Sequence, residues 1–185
     1  MKNKVCKVLL TMCLTSLPIL PAFSHEKNSP TETSPHTAIS FEVQFLDTMI
    51  KHHEDGIEMF QMAVNKAQNP DVKTMAEKMV KDQKKEIPEL QNLKNEVESG
   101  ESKATNMNMP GMVPMDMSKL KKSSGTQFDR EFLSMTIDHH KGAIKMADMA
   151  LEKAKNADVR TKAQMIRDKQ KDEVARMENM LKEIH

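Results

Sequence analysis

Residues 45–63 read FLDTMIKHHEDGIEMFQMA, and residues 132–150 read FLSMTIDHHKGAIKMADMA. Both carry a His-His doublet followed by spaced methionines. The ungapped match runs on to Leu93 and Met180 at a constant offset of 87 residues, with 20 of 49 aligned positions identical. Self-similarity of this kind marks a duplicated supersecondary unit. In the first copy Phe45, Met49, Gly56, Phe60 and Ala63 return at helical period, and no segment alternates with the period of two that a half-buried strand requires. Each helical hairpin has an apolar stripe that it cannot bury alone. The two copies are therefore expected to close on one another as an all-α four-helix bundle with pseudo-twofold symmetry.

Local signals set the expected boundaries. Ser40 can cap a helix running from Phe41 to about Ala67, and Asn69-Pro70 ends it and starts the next, because Asn caps well and Pro is tolerated in the first turn. That second helix is expected to reach Glu98, with a kink at Pro88 where one ladder bond is lost. Thr126, with Asp129 three residues on, reads as the start of a third helix ending near Asn156, and a fourth spans about Ala157 to Ile184. The layout is a signal over 1–24, a disordered polar leader over 25–39, and a bundle over 40–185. The bundle divides into repeat 40–98, Met-rich linker 99–124 and repeat 125–185.

The signal reading rests on Lys2, Lys4 and Lys7 before a short apolar run and on Ala22-Phe23-Ser24 as a small-x-small cleavage site, which places the mature start at His25. Both cysteines, Cys6 and Cys13, fall inside the signal, so the mature chain enters an oxidising, periplasmic or secreted compartment without a thiol. No later stretch is apolar enough to span a bilayer, and a soluble mature protein is expected. Loss of three lysines leaves 25 basic and 27 acidic residues, and there is no Trp or Tyr. A nucleic-acid partner, which needs a basic stripe or stacking aromatics, does not fit this composition.

Methionine is the compositional outlier, at 18 of 185 residues. At about 100° per residue, Met49 and Met59 fall on the same side of the first helix as His52, while His53 falls within the apolar stripe. His52 is thus expected to look outward from the core edge and His53 to be buried and in need of a partner. In the second copy His139, Met135 and Met146 share one side and His140 takes the core position. Thr136 stands where the repeat would place a methionine, which has shifted to Met135. Met62, Met75, Met79, Met149, Met165, Met177 and Met180 read as flexible core filler. Met107, Met109, Met112, Met115 and Met117 crowd into the linker segment MNMPGMVPMDM, where core packing explains them poorly. Imidazole with soft thioethers selects copper, Cu(I) ahead of Cu(II), and the thioethers do so where thiols would be oxidised. A di-iron centre would want a Glu-x-x-His pair where this chain has Met49-Ile50-Lys51-His52, and structural zinc would want cysteines that the mature chain lacks. A free amine at His25, with its imidazole and His36, offers a further Cu(II) chelate.

On the segments MIKHHEDGIEMFQMA, MPGM and GTQFDREFLSMTIDHHKGAIKMADMA, the chain resembles a periplasmic copper-binding family typified by CopM and long known only as a domain of unknown function. The resemblance covers roughly residues 41–184. It implies a ferritin-like bundle and, for some members, copper tolerance through His and Met ligands, carried here by His52, His53, Met49, Met59, His139, His140 and Met146. The expected role is a non-enzymatic protein that sequesters, buffers or delivers copper, with a copper exporter or another periplasmic metallochaperone as partner. A bundle-type metal oxidase and a purely structural or interaction module are the alternatives.

Overall fold

The computed structural model describes residues 40–98, 109–112 and 114–184. The signal, the leader with His25 and His36, and Met107 lie outside the described residues. Five helices follow in order: α1 (Phe41–Lys66), α2 (Pro70–Glu98), α3 (Ser118–Lys122), α4 (Gly125–Lys153) and α5 (Ala157–Glu183). The long ones form an all-α four-helix bundle of two hairpins, α1–α2 and α4–α5, and no strand occurs among the described residues. The hairpins meet mainly through α1 and α4, whereas α2 and α5 touch over only a short stretch.

The caps explain the boundaries. Ser40 Oγ accepts from Val43 N at 3.2 Å. Asn69 Oδ1 accepts from Asp71 N and Val72 N at the start of α2, and Asn156 Oδ1 does the same for Asp158 N and Val159 N at the start of α5. α2 continues through Pro88 to Glu98, so the ladder bond lost there does not end the helix. Two features differ from the sequence reading. The linker contains the short helix α3, whose Leu120 is fully buried. Asp129, expected to help open α4, instead accepts from Gln68 N and Asn69 N, at 3.1 and 2.8 Å, in the turn of the other hairpin. Glu42, its counterpart in the repeat, accepts from Lys155 N and Asn156 N. Each hairpin thus lends one carboxylate to satisfy orphan amides in the other's turn, a use of charge that only packed hairpins permit.

The buried apolar residues fall into two clusters, one toward each end of the bundle. Phe45, Leu46, Met49, Leu90 and Met146 belong to the first, and Met59, Phe60, Met79, Phe128 and Phe132 to the second. Full burial of each such side chain contributes about 1.5–3 kcal/mol. Between the two clusters lies a polar layer.

Candidate metal-binding site

The layer contains both His-His doublets. Helical alternation of apolar positions on α1 and α4 turns the doublets toward the α1–α4 contact, where His52 and His139 stack with ring centroids 3.6 Å apart and planes inclined by 24°. They also bond reciprocally: His52 Nε2 lies 2.9 Å from His139 O, and His139 Nε2 lies 3.1 Å from His52 O. The outward orientation expected for the first histidine of each doublet is therefore incorrect, since His52 and His139 are only 2% and 4% exposed. A helical wheel of one hairpin locates its own stripe but not the second helix that covers its flank. His53 and His140 are buried as expected, and each finds a carboxylate: Glu86 Oε2 at 2.8 Å and Glu173 Oε2 at 2.9 Å. Phe60 closes the layer on one side, edge-on to His139 and His140.

These partners define the tautomers. A backbone carbonyl accepts only, so Nε2 of His52 and His139 carries the proton and donates. A carboxylate also accepts, so Nε2 of His53 and His140 donates in turn. Nδ1 of neutral His52 and His139 is then a lone-pair donor, as it is in the neutral form of His53 and His140, and all four Nδ1 atoms are buried without a hydrogen-bond partner. An unsatisfied buried polar atom costs about 1–3 kcal/mol, so the layer works against stability. Imidazoles that ligate metals almost always donate their other N–H to a carboxylate or a backbone carbonyl, and all four rings here do so.

Electrostatics keep the stacked pair neutral. Burial, reinforced by His53, pulls His52 down to about 3, against the raising effect of its bond to the His139 carbonyl. Burial, together with His52, His140 and His53, holds His139 well below the ordinary histidine value. Burial alone would raise Glu86, but the bonds from His53 and Lys169 outweigh it and bring this carboxyl down to about 2. Among the described residues no three His, Cys, Asp or Glu side chains form a preformed metal cage, so any cage must draw on thioethers or on a change of rotamer.

The methionines are placed unequally. Met49, Met59 and Met146 are fully buried; Met59 lies in one apolar cluster, and Met49 and Met146 in the other. The equivalent methionines of the two repeats, Met59 and Met146, thereby flank the layer on opposite sides. Met135 does not take over the position of Met49. It is half-buried, lining a surface groove with Lys119, Glu131 and Asp138, while Thr136 is buried and its hydroxyl lies 3.9 Å from Met59 Sδ. The linker runs as a strap. Met109 enters the cluster of Met49 and Met146, Met112 is half-buried, and Met115 and Met117 pack against the other cluster. Gly111, at φ 120°, crosses Gly142 so closely that a Cβ on Gly142 would sit 2.3 Å from Gly111 O, and that same point is 3.8 Å from His52 Nε2.

Sequence reasoning missed Gln83, Glu86, Gln170 and Glu173. Gln83 and Gln170 are buried at the layer, each with an unpartnered Oε1, and the two glutamates hold the second histidines. The signal was available, because Gln83-x-x-Glu86 and Gln170-x-x-Glu173 are among the few identities kept where the second helices of the repeats otherwise diverge.

The protein is thus a duplicated helical bundle with a layer of four buried imidazoles at its centre. The chain belongs to the DUF305 family, a domain of unknown function, whose model matches twice, over residues 27–94 and 93–181. Its structure is similar to CopM in the Cu(I)-bound form, at 27% identity and TM-score 0.65, over 77% of this chain and 96% of CopM. CopM in the Cu(II)-bound form matches at 27% identity and TM-score 0.67, over 78% of this chain and 97% of CopM. A DUF305 fragment from Deinococcus radiodurans shares the fold, with 24% identity and TM-score 0.68, over 80% of this chain and 99% of the fragment. No curated protein matches the sequence.

Proposed function

We propose that this protein binds copper, Cu(I) ahead of Cu(II), at the histidine layer, and sequesters, buffers or delivers it outside the cytoplasm. The observation that carries the reading is the set of four buried, unpartnered Nδ1 atoms, each on a ring whose other nitrogen is already held by a carbonyl or carboxylate. Buried Met49, Met59 and Met146 supply soft donors on either side, and the strap bearing Met109 and Met112 crosses the site beside His52. The likeness to CopM, whose structures include Cu(I)-, Cu(II)- and Ag-bound forms, supports the same metal class. The expectation of a secretory signal over 1–24 is consistent with this role, and among the described residues no helix is long and apolar enough to cross a membrane.

The test is competition for Cu(I) with a chromophoric chelator. The double variant His52→Leu/His139→Leu removes two donors and leaves behind only carbonyls that lie within helices. It is expected to retain helical circular dichroism and to lose copper stoichiometry. Copper binding equal to that of the unaltered protein would refute the assignment.

A further inference from the structure

The histidine layer is sealed along the α1–α4 contact but approached by a cleft along the α2–α5 seam. At the surface the seam opens into a groove of about 460 Å³ flanked by Met75 and Met180. It narrows to about 110 Å³ between Met75, Met79 and Lys169. It ends as a slit, too tight for water, lined by Met79, Gln83, Glu86, Lys169, Gln170 and Glu173. Consecutive sections share walls, Met75, Lys78 and Arg176 in the outer two and Met79, Lys169 and Glu173 in the inner two, with Asp71 and Glu183 offsetting the outer cations. The slit reaches the carboxylates that hold His53 and His140.

Lys169 stands across this passage. Its Nζ lies 2.7 Å from Glu86 Oε1 and 3.0 Å from Asp82 Oδ2, and its side chain is 29% exposed. The repeat does not demand a cation here, because the equivalent residue in the first copy is Asp82 itself. Buried Glu173, partly buried Glu86 and the buried amides of Gln83 and Gln170 face one another here, and Lys169 is the cation bonded directly to Glu86. The ammonium supplies its charge from the solvent side, on a flexible stem able to swing outward.

We propose that the α2–α5 seam is the path by which Cu(I) reaches the histidine layer, with Met75, Met180 and then Met79 as successive thioether contacts and Lys169 as the resident cation that the arriving ion displaces. The inference rests on the reading of the layer as a copper site. A monovalent ion entering as the ammonium leaves keeps the charge beside Glu86 constant, so neither state leaves this partly buried carboxylate uncompensated. Thioethers suit such a passage because each is a weak, exchangeable ligand that strips water from the ion without trapping it.

The experiment follows the rate at which the metal-free protein takes Cu(I) from a chromophoric chelate by stopped-flow absorbance. Lys169→Met is expected to load about tenfold faster, the scale set by losing a half-buried ion pair, with unchanged final stoichiometry. Met79→Leu is expected to load several-fold more slowly, also with unchanged stoichiometry. Lys121→Met, the same charge change on exposed α3, and Met165→Leu, an exposed thioether outside the seam, leave the rate unaltered. Should Lys169→Met fail to fold, Lys169→Gln serves the same purpose with a polar tip. Rates that ignore both Lys169 and Met79, or that respond equally to Lys121→Met, would overturn the route while leaving the site intact. Uptake that does not depend on His52 and His139 would instead count against the copper site itself.

Discussion

Acidification from pH 7 to pH 5 should destabilise the metal-free protein by an amount set by the stacked pair. In the unfolded chain a histidine titrates near 6.5, whereas burial holds folded His52 near 3 and His139 well below its ordinary value. The folded pKa values are depressed, so this contribution to stability is complete above pH 6.5 and declines as pH falls toward the folded values. Between pH 7 and 5 the unfolded chain takes up a proton at each position and the folded protein does not. Linkage then gives about 2 kcal/mol per histidine, on the order of 4 kcal/mol for the pair, a large part of a typical stability of about 5–15 kcal/mol. The interval lies above the carboxylate range, so Glu86 stays ionised throughout. Urea unfolding followed by circular dichroism across this range reads the effect as a slope approaching two protons per molecule. Variant His139→Leu should reduce that slope by about one proton. A stability that is flat or rising from pH 7 to pH 5 would refute the claim that the pair is buried and neutral.

Two other perturbations probe different parts of the layer. Glu86→Gln and Glu173→Gln keep a hydrogen-bond acceptor for His53 and His140 but remove the charge that raises imidazole basicity, so Cu(I) affinity by chelator competition is expected to fall by about 10–100-fold, with the fold retained. Gly142→Ala forces a methyl against the Gly111 carbonyl, backbone that cannot yield cheaply, so the strap should lift from α4. Limited proteolysis within residues 109–117 should accelerate and the melting temperature should drop; an unchanged cleavage rate would refute the close packing of the strap.

Much of the fold was legible because duplication and period are local properties. The repeats, the caps at Ser40 and Asn69, and the lack of strand among the described residues all follow from residue types at short spacing. The site was half legible. The doublets and their need for a partner could be read, but the partners lie 33 residues away on the next helix of each hairpin, so only the antiparallel return of the chain brings Glu86 to His53 and Glu173 to His140. Met135 shows the opposite failure: helical spacing placed it beside His139, yet packing of α3 and the strap leaves it in a surface groove.

A duplicated all-α hairpin and the residue types kept at its centre are written in the amino-acid sequence, because helical period and capping depend on neighbours a few positions apart. Packing between the hairpins decides that His52 and His139 stack across the pseudo-twofold, that each of the layer's four imidazoles donates its Nε2–H and leaves Nδ1 buried without a partner, and that the strap crosses beside them. Those outcomes depend on which flank of α1 meets which flank of α4, a matter of packing between surfaces 87 residues apart that no local pattern encodes.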